Sequence, residues 1–185
     1  MRLLLATGNA HKATELQDIL GPNVVVEAQA TGAEETGATF EENALLKARA
    51  LAASSGELSV ADDSGIEIDH LDGAPGIHSA RWTDGGDLIP RVLQELDGVP
   101  PAGRACRYVC AAAAVWPDGR EVVTRGEVEG TVVDAPRGSG GFGYDPIVAP
   151  VEGDGRTFAE MTAAEKHAIS HRARAFLALL PHLSL

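Results

Sequence analysis

The chain is predicted to be α/β, with a mixed β-sheet flanked by helices. Three observations point there. Short apolar runs alternate with segments of helical period. Polar turns rich in glycine and proline separate them. At 185 residues the chain is one domain by length, 1–185, long enough to bury a real core.

Arg2 to Ala6 is a short apolar strand. The turn Thr7-Gly8-Asn9-Ala10-His11-Lys12 follows, and Ala13, Leu16, Ile19 and Leu20 then share one face of a helix near 10–20. Strand, glycine turn and helix start together make an anion site, because free N–H groups and the helix dipole point at it. Thr7 and Asn9 add side-chain donors. Lys12 puts a charge in the first turn, where lysine is normally disfavoured and a bound phosphate reverses the sign. The spacing is not that of a Walker A loop. An ordinary βα turn containing an asparagine is the plainer alternative.

A strand over Val24–Val26 and a helix near 40–54, starting at about Thr39, come next. Then Val60-Ala61-Asp62-Asp63-Ser64-Gly65 ends an apolar run, Leu58–Ala61, in two acids, a hydroxyl and a glycine. This reads as a buried strand entering a tight turn, with a second strand at Ile66–Ile68. Both acids thereby reach the lip of a sheet, where open α/β folds place ligands. Adjacent carboxylates repel, and the usual remedies are a divalent cation or a shared proton. A solvated Asx-type turn is the alternative.

A helix near 87–96 precedes the strands Ala105–Val115 and Val122–Val133. Cys106 and Cys110 point to one face of the first strand, too far apart to bond each other, and read as small buried hydrophobes. The run Gly138-Ser139-Gly140-Gly141-Phe142-Gly143-Tyr144-Asp145-Pro146 allows close backbone approach to a ligand. Placing Phe142 and Tyr144 there, in a chain with 4% aromatic residues, offers a face to a flat partner such as a nucleobase. Rings that cap the core are the alternative.

The last helical stretch, near 163–180, opens with a capping box, Thr162 and Glu165. Its stripe is Ile169, Ala173, Phe176, Leu177 and Leu180. On one continuous helix His171 would fall about 200° from Ile169, so His171 and Arg172 could not aim at one ligand. Ser170 is a good N-cap. A break near Ser170 is therefore predicted, with Ser170-His171-Arg172 at a helix start.

Taken together, Thr7 to Lys12, Asp62-Asp63-Ser64-Gly65, Gly73-Ala74-Pro75-Gly76-Ile77-His78-Ser79-Ala80-Arg81, Phe142 to Pro146 and Ser170-His171-Arg172 resemble the inosine/xanthosine triphosphate pyrophosphatase (Ham1-like) family. The resemblance runs in order from about residue 3 to 180. It implies hydrolysis of non-standard purine nucleoside triphosphates (ITP, dITP, XTP) to monophosphate and pyrophosphate. It also implies Mg²⁺, a homodimer, and an elongated two-lobed fold with a nucleotide cleft between the lobes. By position it gives Thr7, Gly8, Asn9, Ala10, His11, Lys12 and Lys47 to the phosphates. Asp63 becomes the catalytic carboxylate, and Glu35, Asp63 and Asp62 the metal set, with Glu34 as the alternative to Glu35. Ser64, Phe142, Gly143, Tyr144, Asp145, Lys166, His171 and Arg172 complete the substrate site, the last two as donors to a purine 6-oxo group. Two departures stand out. The segment Trp82 to Asp87 is shorter than the family's usual entry. Ala173 stands where a glycine is common, which would be strained if the position needs a positive φ.

Composition sets limits. The formal net charge of −12 argues against a nucleic-acid or anionic-membrane surface. An anionic triphosphate then needs local positive charge. The three lysines, Lys12, Lys47 and Lys166, all fall at motif positions. There is no secretory leader pattern and no apolar run long enough to span a membrane, so a soluble cytosolic protein is expected. A pyrophosphatase of another base preference, or a nucleotide-binding regulator without turnover, are the competing readings.

Overall fold

The computed structural model describes residues 2–83 and 85–183. Strands β1 (Arg2–Ala6), β2 (Val25–Gln29), β3 (Ser59–Ile68), β4 (Ala105–Val115), β5 (Glu121–Val132) and β6 (Val148–Pro150) form one six-stranded sheet in the order β2-β1-β3-β4-β5-β6. The helices are α1 (Ala10–Leu20), α2 (Phe40–Ser55), α3 (Leu88–Glu95), α4 (Ala163–Ile169) and α5 (His171–Leu179). β1 pairs parallel with β2 and β3, while β5 and β6 pair antiparallel, so the sheet is mixed. The chain separates into two compact units, one of residues 1–64, 110–126 and 171–185, the other of 65–109 and 127–170.

In the first unit Leu3 and Leu5 of β1 join Leu16 of α1, Val60 of β3 and Phe176 and Leu179 of α5 in one buried cluster. Helix α2 also packs on β1, and its Ala44, Ala48 and Leu51 are fully buried. Its N-cap is Thr39, whose hydroxyl accepts from the Glu42 N–H, as the sequence predicts. In the second unit Ile66, Ile68, Val92, Tyr108, Val132, Tyr144 and Phe158 form a separate core.

Two predictions need correction. The strand does not turn at Asp62–Gly65; β3 runs on through them to Ile68. A turn is unnecessary because both acids find cationic partners inside the fold. The Val24–Val26 strand is displaced to Val25–Gln29, and β6 had no readable signal because it is only three residues long. The predicted break at Ser170 is present: its φ of −66° and ψ of 150° are extended, between α4 and α5. Ala173 is buried inside α5, and the positive-φ positions do not include it, so no glycine is required there. Cys106 and Cys110 are free and buried, and burial pushes the Cys106 thiol up to about 12. Position 84, within the short entry after Arg81, lies outside the described residues.

Candidate active site

The register of the parallel strands builds the site of the first unit. Leu5 of β1 stands level with Val60 of β3, so Asp62 and Asp63 lie level with the turn that leads into α1. That is the carboxyl end of β1, beside the middle of β3, and the carboxyl ends of parallel strands are where α/β sheets hold ligands. Within the turn the Thr7 hydroxyl accepts from the Asn9 N–H. Asn9 Oδ1 accepts from the His11 and Lys12 N–H groups, at 2.9 and 3.4 Å. Those two backbone donors are thus capped by the protein, not offered to an anion. Asn9 keeps its amide nitrogen as the donor. Gly8, Asn9, Ala10 and His11 are exposed.

Successive residues of a strand point to opposite faces, and this separates the two acids. Asp62 lies with α1 and α5. Its Oδ2 is 2.9 Å from Lys12 Nζ and accepts from Arg172 Nη2 at 3.1 Å. Arg172 also donates to Glu15 of α1, and to Ser64 Oγ at 3.0 Å. Glu15, Asp62 and Arg172 are all buried. Burial alone would raise the Asp62 pKa, but Lys12, Arg172 and Lys47 overcome it and hold the carboxyl far below its usual range. Burial likewise works against the Arg172 charge, yet Asp62 and Glu15 push its pKa further up.

Asp63 lies with α2 instead. Its Oδ2 accepts from Asn43 Nδ2 at 3.3 Å, and its Oδ1 from Lys47 Nζ at 3.0 Å. The same ammonium donates to Glu35 Oε1 at 2.7 Å. Burial raises the Asp63 pKa, Lys47 offsets only part of this, and Glu35 adds to the rise, so the net shift is upward. For Lys47 burial acts downward, but Asp63, Asp62 and Glu35 outweigh it and the net shift is also upward. Of the two adjacent acids, then, one is locked as an anion and the other is left easier to protonate.

Lysine and arginine stand against both acids, Lys12 and Arg172 on Asp62 and Lys47 on Asp63. Of the expected metal set, Glu35 and Asp63 come together on Lys47, while Asp62 faces Lys12 and Arg172. Glu34 is exposed, and it is Glu35 that reaches Lys47. Among the described residues no three His, Cys, Asp or Glu side chains gather as a metal cage. Two hard carboxylate oxygens on one ammonium are nonetheless a donor set that suits Mg²⁺, which is usually held by one or two carboxylates plus substrate phosphates and water. Lys47 marks where one cation reaches both.

The second unit holds the glycine-rich loop. Asp145 is buried and accepts from the Phe142 N–H at 2.9 Å, Lys166 Nζ at 2.7 Å and the Tyr108 hydroxyl at 3.1 Å. Lys166 Nζ also lies 4.8 Å from the centre of the Phe142 ring. Gly141 has a φ of 67°, and a Cβ there would meet Asp145 Oδ2 at 2.0 Å, so only glycine permits this closure. Gly143 also has a positive φ, 63°. Tyr144 is buried, and its hydroxyl donates to the Ser79 carbonyl at 2.6 Å; its ring belongs to the core, the alternative left open by the sequence. Phe142 remains half-buried.

Sequence reasoning missed Glu15, Asn43, Tyr108 and Gly126. A Cβ on Gly126, within β5, would meet the His171 carbonyl at 2.2 Å and the Ala175 nitrogen at 2.5 Å. Its absence lets the start of α5 approach the strand, which sets where Arg172 begins. An isolated glycine inside a strand pattern is the signal that could have found it. Glu15 and Asn43 carry no such signal.

Comparison with known proteins gives the family. A dITP/XTP pyrophosphatase of Streptomyces coelicolor is 50% identical over 97% of this chain and 96% of its own length. One of Symbiobacterium thermophilum is 50% identical over 98% and 94%. The structure of a HAM1 protein from Coxiella burnetii superimposes with a TM-score of 0.86 at 36% identity, covering 99% of this chain and 98% of that one. The Ham1 family model matches residues 3–182, and the chain belongs to the Ham1 family.

Proposed function

We propose that this chain hydrolyses non-standard purine nucleoside triphosphates (dITP, XTP and ITP) to the monophosphate and pyrophosphate. The observation that carries the reading is the division of labour at Asp62 and Asp63. One carboxylate fixes Lys12 and Arg172; the other stands beside Lys47 and Glu35 with a raised pKa, the state suited to a general base. The names of the relatives support the substrate class.

In this mechanism Asp63, held by Asn43, orients and deprotonates a water for in-line attack at the α-phosphorus. Lys12, Asn9 and Lys47 stabilise the charge that grows on departing pyrophosphate. Mg²⁺, held by Glu35 and Asp63, supplies charge neutralisation of the phosphates. Phe142 offers a ring to the purine, and Ser64 touches the nucleotide. His171 and Arg172 donate to the 6-oxo group, which adenine replaces with a donor. The active species is a homodimer, which sedimentation tests directly.

A panel of dITP, XTP, ITP, GTP, ATP and dUTP with Mg²⁺, followed by phosphorus NMR, tests the reaction. Pyrophosphate and monophosphate should appear together, from the first three only. Orthophosphate with a diphosphate would overturn the assignment, and turnover of dUTP alone would redirect it to pyrimidines. Arg172→Ala tests the base reading. It should lower kcat/KM for ITP more than for residual ATP; equal losses would leave Arg172 only its part in holding Asp62.

A further inference from the structure

The two carboxylates given to the metal already share a cation. Lys47 Nζ stands 2.7 Å from Glu35 Oε1 and 3.0 Å from Asp63 Oδ1. We propose that Lys47 is a resident counter-ion in the divalent-cation position, displaced when metal binds and then free to take the phosphates. The inference rests on Glu35 and Asp63 being the metal ligands.

Space argues for exchange over coexistence. Mg²⁺ holds its oxygens at about 2.0–2.1 Å, so an ammonium cannot keep hydrogen bonds to the same two oxygens from the same point. Charge argues the same way. Two carboxylates with one ammonium carry a single negative charge; with a divalent ion alone they are neutral. Keeping both cations would leave a positive excess in a mostly buried site, where the Lys47 side chain is 13% exposed. The chain also separates the part that moves from the part that stays. Lys47 is a charge on a flexible stem. Asn43, fully buried one turn earlier on α2, accepts from the Gly37 N–H at 2.8 Å and donates to Asp63. Asp63 therefore keeps a fixed partner while its lysine leaves. Lys166 provides the contrast: its acceptor Asp145 is also bonded by Tyr108 and the loop backbone, a closed arrangement with no exchange expected.

The test reads metal affinity and lysine reactivity on nucleotide-free protein. Mn²⁺ binding, followed by electron paramagnetic resonance, should be at least tenfold tighter for Lys47→Gln than for wild type, and no tighter for Lys47→Arg. Equal or weaker binding by Lys47→Gln, or none, overturns the proposal. With three lysines in the chain, acetylation is easily assigned by peptide mass spectrometry. Saturating Mn²⁺ should raise the acetylation rate of wild-type Lys47 severalfold and leave Lys166 unchanged. An unchanged Lys47 rate with Mn²⁺ bound overturns it too, even if Lys47→Gln does not fold. Adding Glu35→Gln to Lys47→Gln should abolish the tightened binding. If binding persists, the ligand assignment to Glu35 fails, whereas the Lys47 comparison fails or stands by its own result.

Discussion

Buried aspartates meet lysines in both units of the molecule, and Asp145 with Lys166 is held differently from Asp63 with Lys47. In the second unit Asp145 receives Lys166, the Tyr108 hydroxyl and the Phe142 N–H, all supplied by the protein. A carboxylate so bonded orders a loop and has little left for chemistry. In the first unit Asp63 receives one amide and one lysine, and that lysine is shared with Glu35. Its burial penalty is only partly repaid, and its pKa rises. The difference teaches that burial and a lysine partner do not by themselves mark a reactive acid. What sets Asp63 apart is incomplete compensation, and on the reading proposed above this is the acid that reacts.

The sharpest way to break this contrast is Asp63→Asn. Turnover should fall by about 10²–10⁴-fold, the usual cost of losing a positioned base. The fold should survive, because the native site already disfavours the ionised form. Retention of a tenth of wild-type activity, at matched circular dichroism, would remove Asp63 from the mechanism. Its neighbour should behave in the opposite way. Asp62→Asn leaves Lys12 and Arg172 short of a buried countercharge, which costs about 3–5 kcal/mol of stability in a urea melt. If Asp62→Asn were as stable as wild type but inactive, the two acids would have exchanged the roles given to them.

Gly141→Ala probes the clasp of the second unit. A side chain at a φ of 67°, aimed at Asp145, should cost about 1–3 kcal/mol. An unshifted thermal midpoint would show that Asp145 does not hold the loop. The smallest effect is the pH dependence. Burial raises the Asp63 pKa above the ordinary aspartate value, so the acid limb of kcat/KM should lie above that value, falling tenfold per unit as pH drops through the limb. Raising Mg²⁺ should move the limb to lower pH, since the metal favours the anion. Asp62 has the opposite sign. Its folded pKa is depressed, so its stabilising contribution is present above 3.8 and lost only as pH falls below. Acid unfolding should therefore begin at lower pH than the loss of activity, and coincident midpoints would contradict the assignment.

Much of this was written in local sequence. Thr39 and the Thr162–Glu165 box start helices, and Ser170 breaks one, because caps depend on residues within a few positions of one another. The three lysines at motif positions were legible by count, and each does meet a carboxylate. Tertiary structure decided which carboxylate, and on which side of the sheet. Arg172 reaches Asp62 across 110 residues of sequence and Glu15 across 157, and no short-range pattern encodes such a meeting. The strand that runs straight through Asp62 and Asp63 follows from those partners. Two adjacent acids read as a turn until lysine and arginine arrive from other elements. Then alternation along β3 sends one acid to α1 and α5 and the other to α2, and a repulsive pair becomes one fully compensated anion and one acid compensated only in part.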